Sequence, residues 1–370
     1  MWSRIYALLI KEFLNLLKDK KSRFVLIGPP IFQLFVFGYA ATYDLNQVPI
    51  AIYNEDTSIA SRDLIAKFNG TPTFKEVLRI SYHEQIAPAL DNKDVLMVVH
   101  IGQHFSRDLL LAQHPAKVQI LLDGRNSNTA QIALGYAQTV LSDFNIQWAK
   151  QHKLSLPPAK LEVRAWFNPN LESRWFIVPG IVGLLTLVVT VIVTALSVAR
   201  EREQGTFDQL LVTPLSPLEI LIGKAIPGLV IGVIESSFII LMAVLWFKVP
   251  LVGSLVPLYI GIILFVFAVI GIGLMISSLA VTQQQGLLGA FLFIVPAVIL
   301  SGYATPIANM PPLVQDLTLI NPLRYFLIIL RGVFLEGLSV SQLLDQYWPM
   351  LLIGILNLGM AGWLFRRRMY

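Results

Sequence analysis

Charged residues divide this chain into long uncharged runs and short polar segments. Uncharged runs lie between Arg23 and Asp44 and between Arg174 and Arg200. A third, from Lys224 to Lys248, is broken only by Glu235. Leu251 to Gln315 holds no Asp, Glu, Lys or Arg, and a last run lies between Asp345 and Arg366. Crossing a bilayer takes roughly 20 apolar residues. The stretch 251–315 therefore has room for two crossings, with the break at the polar cluster Thr282-Gln283-Gln284-Gln285-Gly286. The pattern predicts an α-helical polytopic membrane protein with six transmembrane helices, the first at 23–43 and the others within 174–366. Pro322–Leu335 is apolar but short and carries Arg324 and Arg331, so it is read as a re-entrant or interfacial hairpin within an outer region of about 304–340.

Three polar segments change this picture. Residues 1–22 place Ile5, Leu8, Leu9, Phe13, Leu16 and Leu17 among basic residues, which predicts an amphipathic helix on a membrane face. Residues 44–173 are long enough for a domain with its own core. Within them Val48–Tyr53, Val95–Ile101, Val118–Leu122 and about Leu161–Phe167 read as strands. Ser61–Phe68, His83–Leu90, Phe105–Gln113 and Asn128–Gln151 read as helices. The alternation predicts an inserted extracytoplasmic α/β domain.

The third segment, about 200–217, is too short for a domain yet is built like a docking surface. Arg200, Glu201, Arg202 and Glu203 alternate in sign, Gly205 breaks the preceding helix and Thr206 can cap a new one. Phe207, Leu210 and Leu211 fall at i, i+3 and i+4, giving a short helix one apolar face. Pro214, Ser216 and Pro217 end it and start the next helix.

Composition agrees with the pattern. Of 370 residues, 55% are hydrophobic and 14% charged, with a mean hydropathy of +0.66, too apolar for a soluble protein of this length. The net charge of +5 lies at the two ends and in the short loops rather than in a nucleic-acid-binding patch. Arg4, Lys11, Lys18, Lys20, Lys21 and Arg23 precede the first predicted span. Arg366, Arg367 and Arg368 follow the last, in a tail at 367–370. Six spans put both basic ends on one side, which is cytoplasmic by the positive-inside rule. Zero cysteines exclude a disulfide framework and a thiolate metal site. The lysine-laced N-terminus is not read as a cleavable leader.

The residues also carry a resemblance. Ala199-Arg200-Glu201-Arg202-Glu203-Gln204-Gly205-Thr206, followed by Asp208-Gln209-Leu210-Leu211 and Pro214, resembles the signature of type-2 ABC export permeases. Ser301-Gly302-Tyr303, Asn309-Met310-Pro311 and Asn321-Pro322-Leu323-Arg324-Tyr325-Phe326 resemble that family's outer re-entrant region. The order of spans, with a large domain after the first, is similar to its multidrug-export branch. The resemblance implies a permease subunit that is not itself an enzyme. It implies a pair, of two copies of this chain or this chain with a sister permease, docked on ABC ATPase subunits. ATP and magnesium would sit on the ATPase, and a periplasmic adaptor is a further implied partner. By that resemblance Glu201, Glu203, Gly205, Thr206 and Leu210 would lie at or beside the ATPase groove, with residues 1–22 as the connecting helix, and the apolar face of Phe207, Leu210 and Leu211 would otherwise be an exposed patch needing such a partner. The implied location is a bacterial inner membrane.

Candidate chemistry is sparse. Lys224 follows Gly223, but Leu218 stands where a phosphate loop needs its first glycine, Ala225 follows instead of Ser or Thr, and no strand precedes. This chain is expected to hold no nucleotide or other cofactor of its own. Glu235, eleven positions past Lys224, falls near the bilayer midplane. It either lines a translocation path or is a packing residue at a dimer seam. His100 and His104 are four apart, but the strand–helix junction between them argues for hydrogen-bonded histidines rather than metal ligands. Gly261, Gly271 and Gly273 permit close helix approach, at a dimer seam or inside the chain. A membrane scaffold that uses its external domain to bind a partner needs only one anchor span, and no inverted repeat points to a secondary transporter. The cargo stays open among hydrophobic or cationic drugs, sodium ions and lipid-like molecules.

Overall fold

A computed structural model describes residues 2–18, 20–40, 45, 47–111, 116–125, 127–152, 172–207, 209, 213 and 215–369. The chain divides into two compact units, one of Met1–Thr42 with Ala165–Tyr370 and one of Tyr43–Arg164.

The first unit is helical. It contains α1 (Trp2–Lys18), α2 (Lys20–Ala40), α7 (Ser173–Glu203), α8 (Pro217–Leu245), α9 (Leu255–Leu279), α10 (Gln283–Ile299), α11 (Pro312–Leu317), α12 (Pro322–Arg331) and α13 (Leu344–Met369). Its core is built on α7 and α9. Phe265 of α9 stacks on Phe326 of α12 at 4.3 Å, and both are fully buried. Glycines set the close approaches. A side chain at Gly261 would meet Ile329, one at Gly271 would meet Asn357, and one at Gly273 would meet Thr194. All three therefore pack inside this chain.

Among the described residues, α7, α8, α9 and Leu344–Arg367 of α13 are long and apolar enough to cross a membrane. Pro312–Ile320 and Pro322–Glu336 meet at 84° and add a fifth span if the bent pair is counted as one. The pattern of charges predicts six. In α2 the basic first turn leaves 24–40 as the uncharged described part, and 41–44 lie outside the described residues. At 17 residues, α10 is shorter than the roughly 20 a crossing takes. The glutamine cluster is also not the break between α9 and α10. Thr282 caps α10, accepting from Gln285 N, and Gln285 Oε1 accepts from Val281 N. The chain turns at 280–282, and the glutamines form the next helix's first turn.

The second unit is a four-stranded mixed sheet ordered β2-β1-β3-β4, with β1 at Val48–Asn54, β2 at Phe74–Ile80, β3 at Met97–Ile101 and β4 at Val118–Leu122. β1 runs parallel to β2 and β3, and β3 runs antiparallel to β4. The helices are α3 (Ile59–Asn69), α4 (Ile86–Asp91), α5 (Phe105–Leu111) and α6 (Ser127–Gln151). α3, α5 and α6 cover one face, where Leu64, Phe68, Phe105 and Phe144 pack on Ile50, Ile52 and Val99. α4 covers the other face with Ile86 and Ala89. Asp56 ties the loop after β1 to α3 and α5: it accepts from Ser58 N at 2.9 Å and from Ser106 N at 2.7 Å. Burial opposes its charge, but these hydrogen bonds outweigh burial and hold its carboxyl below the ordinary range. Sequence pattern misses β2, whose inner residues are mostly exposed and charged, as an edge strand allows. The strand expected at about Leu161–Phe167 lies outside the described residues.

Candidate coupling and translocation site

The end of α7 is locked by backbone geometry. Gly205, at φ +69°, takes the left-handed conformation; its N–H bonds Arg202 O at 3.1 Å and the Thr206 N–H bonds Glu201 O at 2.9 Å. This paired arrangement needs a residue without Cβ strain at position 205. The Thr206 hydroxyl also donates back to Glu201 O at 3.4 Å. α8 then begins with reciprocal caps, Glu219 N to Ser216 Oγ at 3.3 Å and Ser216 N to Glu219 Oε2 at 2.8 Å.

Phe207 departs from the expected exposed apolar face. It is buried against Val198, Ile220 and Phe365, edge-on to Phe365 at 5.9 Å, with the Arg202 guanidinium 5.0 Å from its ring centre. An aromatic ring gains more by filling this gap between α7, α8 and α13 than by facing water. Leu210 and Leu211 lie outside the described residues. Glu203 is exposed, and its Oε2 accepts from Gln283 N at the start of α10, 2.7 Å away. Arg202 Nη1 donates to Ser278 O at 2.9 Å and Ala280 O at 3.3 Å. Neighbouring residues of α7 thus hold the end of α9 and the start of α10.

Glu201 is buried in a charge cluster that sequence spacing does not reveal. Its Oε1 lies 2.5 Å from Lys11 Nζ and its Oε2 lies 2.7 Å from Lys224 Nζ; Lys224 also reaches Glu12 Oε1 at 3.0 Å. The Lys224 side chain is 1% exposed. Burial raises the Glu12 carboxyl above the ordinary glutamate range, against the pull of Lys224. Four ions from α1, α7 and α8 thereby pin the amphipathic helix to the base of two long helices. Leu8 completes the contact by packing where Gly223 has no side chain. A cleft of about 640 Å³ opens beside the cluster, with Arg200, Gln204, Thr206 and Thr213 on its wall.

Glu235 sits on α8, 9% exposed, and neither carboxylate oxygen meets a hydrogen-bond partner among the described residues. Thr190 Oγ1 on α7 is likewise buried without a partner, against Gly232. One turn away the Ser236 and Thr186 hydroxyls bond each other at 2.9 Å.

In the second unit His100 bonds Glu55 through Nε2 at 3.2 Å and Gln119 through Nδ1 at 3.1 Å. The Tyr53 hydroxyl and then His100 hold the Glu55 carboxyl below its ordinary range. Folding supplies an acidic partner that sequence spacing does not show. Among the described residues no three His, Asp or Glu gather as a metal site.

Residues 20–364 match the profile of the ABC-2 family transporter proteins. The chain is 39% identical over 368 residues to the probable multidrug ABC transporter permease YbhR of Escherichia coli K12, covering all of both chains. It is 33% identical over 341 residues to the probable multidrug permease YbhS of the same strain, covering 91% of this chain and 89% of YbhS. It is 31% identical over 353 residues to the inner membrane transport permease YhhJ, covering 95% of this chain and 93% of YhhJ. With the apolar helices and these full-length likenesses together, the chain belongs to the ABC-2 family of transporter proteins, as a permease subunit and not itself an enzyme.

Proposed function

We propose that this chain is the transmembrane half of an ATP-driven exporter that moves hydrophobic or cationic drugs out of the cytoplasm or inner leaflet. A separate ABC ATPase supplies the energy, with its ATP and magnesium. The observation that carries this function is the anchored segment after α7. Gly205 turns the chain, Phe207 fastens it to α8 and α13, and the Lys11–Glu201–Lys224–Glu12 cluster fixes the bases of α7 and α8 to α1. Through Phe207 a push from a docked ATPase would reach α8 and α13. The relatives named as multidrug permeases over the full chain support the drug class; sodium ions or lipid-like molecules are the alternative cargo.

In this scheme six spans, including α2 and α10, put both termini in the cytoplasm and the 44–173 unit outside. The assembly is multi-pass in a bacterial inner membrane. α1 fits a membrane surface on both sides: Ile5 and Leu8 pack inward, while Tyr6, Ile10 and Leu14, spaced one turn apart, stay exposed. Two permease halves, identical or sister chains, form the pathway, and the outer unit is the surface for a periplasmic adaptor. Glu235 lines the path of the cargo.

Because Phe207 is buried within this chain, ATPase contact falls to Leu210 and Leu211 with the exposed Glu203, Gln204 and Gln209. Leu210→Asp with Leu211→Asp is expected to abolish co-purification of the ATPase while leaving the permease's unfolding temperature unchanged. Retention of the ATPase at wild-type level overturns the docking role.

A further inference from the structure

Glu235 stands 18 residues past Pro217 and 10 before Leu245 in a helix of 29 residues. At 1.5 Å per residue these are about 27 Å and 15 Å from its ends, inside the roughly 30 Å hydrocarbon layer. A carboxyl group there is expensive unless something answers it. Neither oxygen meets a protein donor among the described residues, and both are enclosed by this one chain, so a second copy packed against the outside would not reach them.

The surroundings are not those of an accidental polar residue. Thr190 Oγ1 on α7 is also enclosed and unpartnered among the described residues. It rests where Gly232, one turn before Glu235 on α8, leaves no side chain. The neighbouring hydroxyls are already committed: the two protons of Ser236 Oγ and Thr186 Oγ1 are shared among Gly232 O at 2.6 Å, Val182 O at 2.7 Å and each other at 2.9 Å. Neither hydroxyl is left to answer Glu235. Protonating the carboxyl removes its charge but leaves an O–H and a carbonyl oxygen still facing no protein partner. The seam is rich in acceptors and short of positive charge.

We propose that the α7–α8 seam at Glu235 and Thr190 is a binding site for a monovalent positive charge, either a bare alkali cation or the cationic group of a transported organic compound. The carboxylate supplies the charge and one or two oxygen ligands, and the Thr190 hydroxyl adds a third oxygen. Gly232 is required because any larger residue would cover Thr190. The seam is closed here, so loading requires α7 and α8 to part. Those are the two helices that Lys224 and Glu201 join at the cluster beside the coupling segment. The inference deepens the proposed export function and rests on it only for the origin and destination of the cation.

Equilibrium binding of sodium-22 and of rhodamine 6G, a hydrophobic cation, to the purified permease–ATPase complex tests the site. Ionic strength is held constant with N-methylglucamine. Saturable binding of at least one probe is expected. Glu235→Gln should weaken it at least about thirtyfold, as loss of one partner of a buried charge pair does. Thr190→Val, which keeps shape and removes one oxygen, should weaken it severalfold and holds the test open if Glu235→Gln fails to assemble. Sodium binding alone assigns the seam to an alkali ion, and rhodamine binding alone assigns it to organic-cation cargo. Absence of saturable binding of both probes, or equal binding in wild type and Thr190→Val, overturns the proposal. ATPase co-purification is read on the same samples. Its loss counts against the export function, whereas intact pairing without cation binding counts against this site alone.

Discussion

Lys224 is the residue on which three helices meet. A lysine with a 1% exposed side chain is tolerable only because Glu12 and Glu201 surround it, and each acid is tolerable only because of the lysines. Lys224→Met would leave the two buried carboxylates of Glu12 and Glu201 without the ammonium that joins them. It should cost about 3–5 kcal/mol, read as a lower thermal unfolding midpoint in detergent. Adding Glu12→Gln should recover part of that loss, since it removes one of the two uncompensated charges. A midpoint unchanged in Lys224→Met would mean that the cluster does not hold α1. None of this is legible in sequence. Lys224 and Glu12 are 212 positions apart, and Lys224 stands out in the chain only as a failed phosphate-loop lysine. Glu201 and Gly205 were legible, because alternating charges and a glycine at a helix end are local features.

At the scale of elements, the long apolar helices announce themselves by composition, but their neighbours do not. Gly261, Gly271 and Gly273 read equally as an interface between chains or within one. The fold resolves them inward, with Gly273 packed on Thr194. Gly273→Val would force its side chain into Thr194 and should destabilise by about 1–3 kcal/mol. Gly359→Ala, on α13 with open space around it, should be neutral or slightly stabilising. Equal thermal midpoints for the two variants would contradict this close approach of α9 and α7. The break between α9 and α10 shows the opposite failing of pattern. A polar cluster was legible, but whether it forms a turn or a first helical turn depends on the capping pair Thr282 and Gln285. Phe207 shows it once more, since helical spacing gives a face but not what that face meets.

For the whole molecule, the order of spans and polar segments is a statement about sides of a membrane. The chain has no cysteine, so single-cysteine variants give a clean readout of side. Thr213→Cys should react with a membrane-impermeant maleimide only after the cells are opened. Asn92→Cys, exposed in the second unit, should react in cells whose outer membrane alone is permeabilised. Labelling of Thr213→Cys while the inner membrane is still intact would put both sites on one side and break the crossing by α7.

What the sequence by itself determined is the class of protein, the place of the long apolar helices, the strands β1, β3 and β4 with the helices between them, and the turn at Gly205. Each follows from hydrophobicity, charge or glycine stereochemistry acting over a few residues. Only the tertiary structure decided that Phe207 faces inward, that Glu201 is shared by two lysines and that Glu235 and Thr190 are both buried without a partner among the described residues. Those depend on which distant helices pack together. Burial and pairing are properties of the neighbours a residue acquires, and a one-dimensional pattern carries a residue's preference for burial but not the identity of what buries it.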